Sequence, residues 1–146
     1  KLANDERILC AAPSYLQKHG MPGTPSELKS HRLIGFRHSG ARPLIGPQGV
    51  QATFDPNTSN SRLIIDDGLS QKQATLAGAG ISLNSLWSVH AELKSGQLER
   101  VLPDHVGAED NVLWLIYPKS NVLSPKVRVF MDFLIAEIGR HPPWQR

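Results

Sequence analysis

The turn Asp66-Asp67-Gly68 is one of two stretches of the sequence that suit the binding of a small polar molecule. It follows an apolar run and precedes a segment of helix-forming residues. A short carboxylate here can accept hydrogen bonds from first-turn N–H groups, so either Asp66 or Asp67 is well placed to cap a helix. The same N–H groups can bind an anionic ligand. The turn therefore predicts a helix N-terminus beside a candidate binding site.

The loop from Arg37 to Pro43 is the second such stretch, because it combines cations, a hydroxyl and a glycine after the apolar run Leu33-Ile34-Gly35-Phe36. This composition suits an acidic ligand. It is equally typical of a solvated surface turn. The sequence leaves both interpretations of Arg37 open.

The sequence lacks the patterns that are typical of redox, metal-binding and enzyme sites. Cys10 is the only cysteine and lies in an apolar run, where it is expected to pack as a small hydrophobic side chain. No two histidines have the i, i+4 spacing of a helical metal pair; they are His19, His31, His38, His90, His105 and His141. The sequence also lacks a Gly-x-Ser-x-Gly elbow and a Walker-type loop. We therefore expect neither a metal, a cofactor nor an enzyme active site.

Charge and hydropathy exclude further classes. The formal net charge of +3 is mild, and basic residues are spread along the chain rather than clustered, so the fragment itself is not predicted to bind nucleic acid. No apolar run is long enough to cross a bilayer, and residues 1–7 do not resemble a signal peptide. A cytoplasmic location is the expectation.

The elements around the two stretches form a strand, helix and strand pattern. Residues 62–65 and 81–84 are predicted strands, and the segment from about 69 to 78 is a predicted helix between them. Because such crossovers feed parallel strands, we expect a parallel or mixed sheet that also contains residues 33–36. The loop after Phe36 and the turn at Asp66 would then meet at the carboxyl ends of strands. This strand, helix and strand pattern alone is compatible with any α/β protein.

The remaining predicted elements are short. The strands and hairpin arms are residues 7–12, 43–46, 50–54, 97–102 (an edge strand) and 112–117 (a strand covered on both faces), with a polar connector at 104–111. The helices are 14–19 ended by Gly20, a second one begun by a Thr24–Glu27 capping box, 86–93 before a turn at 94–96, and Pro125 to Ile138. This last helix carries a wide apolar stripe, with Val129 and Phe133 beside it, which predicts that the helix associates with further material through this apolar surface.

Several segments, in order, resemble the LysR-type transcriptional regulators. They are Ile8 to Leu16, His19-Gly20-x-Pro22, Leu28-x-x-His31-x-Leu33-Ile34, Asp67-Gly68 through Ile81, Glu92 to Pro103, and Tyr117-Pro118 through Leu134. Matches in one order over nearly the whole chain are more specific than any single segment.

The resemblance implies an α/β, periplasmic-binding-protein-like (type II) effector-binding domain, in which two subdomains joined by crossover strands enclose a small-molecule cleft. It implies that residues 1–12 form a crossover strand, residues 13–106 a complete subdomain II, and residues 107–146 the returning part of an incomplete subdomain I. The implied partners are a small-molecule effector, further copies in a dimer or tetramer, and DNA through a winged helix-turn-helix that this chain does not contain.

The resemblance also implies the effector contacts. They lie at one strand end with its loop and in the turn before the helix: Ile34, Gly35, Phe36, Arg37, Asp66, Asp67 and Gly68. The chain departs from the family at Asn84-Ser85, where many members have Leu-Pro, and this changes what the next loop contributes. Acidic Asp66 disfavours a carboxylate ligand unless Arg37 or another part of the protein offsets its charge.

Three classes of function remain, namely the sensor domain of a transcription regulator, a solute-binding protein of a transporter, and an enzyme. A solute-binding protein would share the bilobed fold, but the ordered segments match the regulators better. An enzyme would need a nucleophile with a base or a metal site. We therefore expect an effector-sensing domain that modulates transcription, with the solute-binding protein as the alternative.

Overall fold

The computed structural model describes residues 1–49, 51–58, 63–117, 124–139 and 141–145. They form two compact units, one made of Lys1–Asp5 with Asp110–Arg146 and the other of Glu6–Glu109. In chain order the strands and α-helices are β1 Ala3–Asp5, β2 Arg7–Ala11, α1 Pro13–His19, β3 Leu33–Phe36, β4 Arg42–Ile45, β5 Gln51–Phe54, β6 Ile64–Ile65, α2 Gly68–Leu76, β7 Ile81–Ser85, α3 Leu86–Ser95, β8 Glu99–Arg100, β9 Val106–Gly107, β10 Asn111–Leu113 and α4 Pro125–Leu134.

The Glu6–Glu109 unit contains a mixed sheet in the order β5-β4-β9-β2-β7-β3-β6, with β8 also paired to β2. Strand β3 lies between β6 and β7 and pairs in parallel with both, through Gly35 to Ile64 and through Leu33 to Ile81. Helix α2 links β6 to β7. The predicted strand, helix and strand unit and the mixed sheet are therefore confirmed, although Arg62, the first residue of the predicted strand, lies outside the described residues.

Strand β2 is covered on both faces. Leu9 and Ala11 point into a core shared with Tyr15 of α1, whereas Ile8 and Cys10 point into a second core shared with α3. These four residues are inaccessible to solvent. The continuous apolar run at the start of the chain follows from this two-sided burial.

The Gly78-Ala79-Gly80 motif is explained by two separate constraints. Gly78 ends the α2 segment with φ of +75°, a conformation that L side chains rarely adopt. At Gly80 a Cβ atom would overlap the carbonyl oxygen of Arg32 and lie 3.0 Å from its carbonyl carbon. The motif therefore lets the chain turn and then pass close to the backbone before β3.

The predicted short helices are present with different ends. Helix α1 ends at His19 and is followed, as predicted, by Gly20, whose φ of +83° and ψ of 163° lie outside the left-handed helical region. Pro25–Ser30 is a 3₁₀ helix, and the predicted capping box is wrong in its details. Thr24 Oγ1 donates to Glu27 Oε1 at 2.9 Å instead of accepting from the backbone, and Gly23 N–H donates to Glu27 Oε2. The carboxylate thus organises the loop that enters the helix.

The hairpin β4–β5 is confirmed, with Arg42 opposite Phe54; Val50, in its predicted second arm, lies outside the described residues. The predicted edge strand 97–102 shortens to β8, because Leu102 turns the chain with a φ of +48°. The predicted connector 104–111 was wrong in part, since β9 pairs with both β2 and β4. A Cβ at Gly107 would approach Arg7 Cβ to 2.8 Å, so glycine permits this pairing.

Helix α3 is longer than predicted. Lys94 and Ser95 are helical, and Gly96 caps the helix in the left-handed conformation with φ of 77° and ψ of 11°. Of the turn predicted at residues 94–96, only Gly96 lies outside the helix, and it adopts the conformation expected of a glycine that follows a helix.

In the other unit, β1 and β10 pair antiparallel and α4 continues through a π-helical turn to Gly139. The long C-terminal helix is confirmed. The covered strand predicted at 112–117 is wrong: β10 ends at Leu113, and Trp114 and Ile116 are 65% and 90% exposed. Among the described residues, β10 pairs with β1 alone and forms a two-stranded sheet. No helix in the described ranges is long and apolar enough to span a membrane.

Candidate functional site

The Glu6–Glu109 unit carries a cavity of about 600 Å³. It lies where β3 and β7 end and where α2 and α3 begin, which is the carboxyl edge at which open α/β sheets bind ligands. The cavity is lined by Arg7, Phe36, Gly68, Leu69, Gln71, Lys72, Asn84, Ser85, Trp87 and Ser88. Its volume falls within the range of small-molecule sites, and it combines apolar side chains with several polar ones.

Of the seven residues predicted to contact the effector, two line this cavity, Phe36 and Gly68. Phe36 ends β3, and Gly68 is the first residue of α2. A Cβ at Gly68 would meet nothing within 4 Å, so glycine is not needed there for packing. The open space beside Gly68 is therefore room that a ligand can use.

Arg37 and Asp66 lie beside each other, outside the cavity lining. Arg37 Nε is 3.7 Å from Asp66 Oδ2, and the two side chains are 57% and 67% exposed. The backbone N–H of Arg37 donates to the carbonyl of Ile65 at 2.6 Å. The guanidinium of Arg37 thus offsets the charge of Asp66. An acidic ligand was expected only if the charge of Asp66 was offset in this way.

Asp67 is the N-cap of α2, as the sequence predicted for one of the two aspartates. Its Oδ1 accepts the backbone N–H of Ser70 at 2.8 Å. Hydrogen bonding from Ser70, through its hydroxyl and its backbone N–H, lowers the pKa of Asp67. The carboxylate is therefore ionised at neutral pH and stabilises the start of the helix that borders the cavity.

Ile34 and Gly35 are buried within the sheet. The carbonyl of Ile34 lies 3.5 Å from Gln71 Nε2 on the cavity wall. Gly35 borders a separate cavity of about 300 Å³, and a Cβ there would meet Ile64 Cδ1 at 2.8 Å. Both residues therefore support the site from inside the sheet.

Most residues of the cavity wall were not predicted from the sequence. Gln71 and Lys72 lie three and four positions after Gly68 on α2, so helical spacing could have indicated them. Trp87 and Ser88 follow the end of β7, and the rule for strand ends would have indicated these too. Arg7 gave no local signal, because it enters through the antiparallel pairing of β2 with β7.

Lys72 links the two helices at the cavity. Its Nζ lies 2.6 Å from Glu92 Oε1 and donates to the carbonyl of Ser88 at 2.8 Å. Burial of Glu92 acts to raise its pKa, but the hydrogen bond and charge of Lys72 outweigh burial, and the pKa is lowered. The pair is therefore ionised at neutral pH and holds α2 against α3.

A buried polar chain lies beneath the cavity. Asn84 Nδ2 donates to Ser82 Oγ at 2.5 Å, and Ser82 Oγ is 2.6 Å from Thr75 Oγ1. Asn84 is 3% exposed, whereas Ser82 and Thr75 are fully buried. Cys10 lies next to this chain, with its Sγ 3.5 Å from Asn84 Nδ2. Burial raises the pKa of Cys10 to about 11, so the thiol stays protonated and the predicted packing role is confirmed.

Comparison with known proteins places this geometry in a family. Residues 1–139 match the model of the LysR substrate binding domain. The chain belongs to the LysR substrate-binding domain family. Curated relatives of this family include the HTH-type transcriptional activator TtdR of Escherichia coli K12, 34% identical over 135 residues, and the HTH-type transcriptional regulator DmlR of the same strain, 31% identical over 150 residues.

The alignments cover 92% and 98% of this chain but 43% and 46% of TtdR and DmlR, so the chain spans just under half of their length. The regulatory domain of AphB from Vibrio vulnificus superposes with a TM-score of 0.72 at 26% identity, over 93% of this chain and 67% of that one. The CrgA regulatory domain from Neisseria meningitidis gives a TM-score of 0.68 at 26% identity, over 93% and 66%.

The LysR substrate-binding domain assignment confirms the predicted α/β, periplasmic-binding-protein-like fold. It also confirms a sensing domain rather than an enzyme, and it favours the regulators over the solute-binding alternative. Asn84 and Ser85 both line the cavity and give this part of its wall polar side chains.

Proposed function

We propose that this chain is the effector-sensing part of a LysR-type transcriptional regulator, and that a small organic molecule binds in the 600 Å³ cavity at the ends of β3 and β7. The observation that carries the proposal is the position of this cavity. It lies at the carboxyl edge of parallel strands and beside the start of α2, in a chain of the LysR substrate-binding domain family.

The lining supports a ligand with an apolar body and polar substituents. Phe36, Leu69 and Trp87 supply apolar and aromatic surface, and Trp87 is 44% exposed. Lys72 and Asn84 supply polar groups that are held in place by hydrogen bonds to neighbouring helices and strands. Fixed polar groups on an apolar wall orient a ligand and select among similar molecules.

We assign different roles to the predicted contact residues. Phe36 and Gly68 contact the effector directly, because both line the cavity. Arg37 and Asp66 form an exposed pair outside the lining, close in sequence to Phe36 and Gly68, and Asp67 fixes the start of α2. Ile34 and Gly35, which are buried, act through the backbone that carries Phe36.

We further propose the setting in which the domain works. Residues 13–106 act as the effector-binding subdomain, with residues 1–12 as the crossover and residues 107–146 as part of the other subdomain. The intact regulator is a cytoplasmic dimer or tetramer that contacts DNA through a winged helix-turn-helix. Effector binding shifts the conformational equilibrium of the regulator, and this changes the DNA-bound assembly.

Trp87 provides a direct test, because it lines the cavity. In a variant carrying Trp114→Phe and Trp144→Phe, Trp87 is the only remaining tryptophan of this chain. We expect compounds that alter operator binding by the intact regulator to change Trp87 fluorescence in a saturable manner. If such compounds leave the emission of Trp87 unchanged while they still alter operator binding, the effector binds elsewhere and the proposal is wrong.

A further inference from the structure

The hydrogen-bond chain beneath the cavity has a defined direction. Thr75 Oγ1 donates to the carbonyl oxygen of Gln71 at 2.7 Å, which uses its single hydroxyl hydrogen. Ser82 Oγ lies 2.6 Å from the same Thr75 oxygen. Ser82 must therefore donate its own hydrogen to Thr75, and its remaining capacity is as an acceptor.

This direction fixes the side-chain amide of Asn84. Ser82 Oγ can only accept from Asn84, so the amide nitrogen Nδ2 faces Ser82 at 2.5 Å. The second hydrogen of Nδ2 is directed at Cys10 Sγ at 3.5 Å. Both hydrogen bonds of the Asn84 side chain within the described part of the chain thus use Nδ2. An amide whose orientation would otherwise be ambiguous is assigned by its neighbours.

We infer that the carbonyl oxygen Oδ1 of Asn84 is a built hydrogen-bond acceptor of the cavity, and that it selects ligands carrying an O–H or N–H donor at that point. The inference rests on the proposed function, since it concerns the same cavity. Asn84 lines the cavity although it is 3% exposed, so a ligand group that meets it is shielded from water. A ligand that presents an ether or tertiary amide there leaves Oδ1 without a partner, which costs affinity.

Lys72 supplies the complementary group on the same wall. Its ammonium has three N–H donors, and Glu92 and the carbonyl of Ser88 use two of them. The third is available to an acceptor on the ligand. Asn84 and Lys72 together therefore present one acceptor and one donor. This suits a ligand whose polar end carries both a donor and an acceptor, such as an amide, or a hydroxyl next to another oxygen.

Matched pairs of small probes test the acceptor and do not require the effector itself. We choose 2-phenylethanol with its methyl ether, and N-benzylacetamide with its N-methyl derivative, because each pair differs in one donor hydrogen. Binding to the whole ¹⁵N-labelled chain is followed by NMR through the amide signals of Gly68 and Leu69, which report on the cavity. We expect the donor-bearing member of each pair to bind roughly three- to tenfold more tightly.

Two variants connect this preference to the hydrogen-bond chain. Asn84→Leu removes the acceptor, so both members of a pair should bind equally. Ser82→Ala keeps Asn84 but removes the acceptor that orients its amide, so the preference should fall while Asn84 is still present. Ser82 does not line the cavity, and serine to alanine is a small change, so this variant keeps the test open if Asn84→Leu does not fold.

The outcomes separate this inference from the proposed function. If both members of each pair bind the unmodified chain equally, with shifts at Gly68 and Leu69, the cavity binds ligands but the role of Asn84 is wrong. A preference that persists in Asn84→Leu, or that is unaffected by Ser82→Ala, would also overturn it. If no probe shifts the cavity signals at all, the result counts against the cavity as a ligand site and against both proposals.

Discussion

Lys72 and Glu92 form an ion pair, with Nζ and Oε1 2.6 Å apart, that joins α2 to α3 beside the cavity. Their side chains are 17% and 16% exposed, so solvent screens the pair less than it would screen a surface pair. The same lysine also donates to the carbonyl of Ser88. The geometry of the cavity wall therefore depends on a contact between two helices, and this contact is sensitive to pH.

Replacement of Glu92 by glutamine should destabilise the domain. The Glu92→Gln variant keeps the shape but leaves the Lys72 charge without its counter-charge, and we expect a loss of about 1.5–3 kcal/mol of unfolding free energy. Urea unfolding at neutral pH measures it. Glu99→Gln is the matched control, because Glu99 is exposed on β8, and a similar loss in both variants would contradict the role of the pair.

The ion pair also predicts a pH dependence. The folded-state pKa of Glu92 lies below its usual value of 4.5, so its stabilising contribution is present above that value. It is lost as the pH falls through the lower folded-state pKa. The unmodified chain should therefore lose more stability than Glu92→Gln on acidification from about pH 7 to about pH 3.5. Equal losses in both proteins would contradict this account.

Gly80 should be intolerant of any side chain. A Cβ there would overlap the carbonyl oxygen of Arg32, which is backbone and cannot rotate away. We expect Gly80→Ala to cost about 1–3 kcal/mol of unfolding free energy. Gly23→Ala is the control, since its Cβ would meet only Glu27 Oε1, at 3.8 Å. Thermal unfolding of the two variants compares them, and equal melting temperatures would refute the close approach.

His31 predicts a second pH dependence, in a different range. Tyr15 OH accepts the backbone N–H of Arg32 at 2.9 Å, so its own hydrogen points to His31 Nδ1 at 3.1 Å. Burial, followed by the nearby charge of His19, lowers the pKa of His31, while Glu27 acts in the opposite direction. The neutral imidazole is therefore the form that fits the folded protein.

Because the folded-state pKa of His31 lies below its usual 6.5, the unfolded chain binds more protons between the two values. Stability should fall as the pH drops from about 6.5 through the folded-state pKa. The His31→Asn variant retains an acceptor for Tyr15 without titrating. Chemical unfolding at about pH 7.5 and about pH 5 should show a smaller acid loss in this variant. An identical acid loss would show that His31 does not titrate differently on folding.

Local chemistry predicted the elements that carry the cavity. The apolar run before Asp66, the capping aspartate and the Gly-x-Gly motif each act over a few residues, so β6, α2 and β7 could be placed from the sequence. A parallel or mixed sheet that includes β3 was then expected, because a helical crossover joins parallel strands. The position of the candidate site, at the ends of these strands, was predictable for the same reason.

The composition of the cavity wall was less predictable, because it depends on contacts between distant segments. Arg7 reaches the cavity through an antiparallel pairing, and the orientation of Asn84 is set by a hydrogen-bond chain that ends on α2. Strand β9 has two residues in a polar segment, too few to show a period. The apolar run after Asn111 suggested a covered strand, but a run of this kind does not specify what covers it.

The α4 surface predicts self-association of the intact regulator. Val129, Phe130 and Phe133 are 68%, 60% and 57% exposed on this helix. We expect sedimentation of the intact regulator to show dimers or tetramers at micromolar concentration, and charge substitutions at Phe130 and Phe133 to shift it towards monomer. Trp87→Glu is the control, because Trp87 lies in the other unit. A purely monomeric intact regulator would contradict the oligomer proposal.

The central claim is that the effector occupies the space beside Phe36 and Gly68. A Cβ at Gly68 would meet no atom within 4 Å, so Gly68→Leu adds a side chain at the edge of the cavity, and Gly23→Leu makes the same change outside the cavity. The decisive measurement is effector affinity of the intact regulator carrying each variant, using the compound identified through Trp87. We predict at least about a tenfold loss for Gly68→Leu, unchanged affinity for Gly23→Leu, and operator binding without effector preserved in both. Unchanged effector affinity in a stably folded Gly68→Leu regulator would contradict the account.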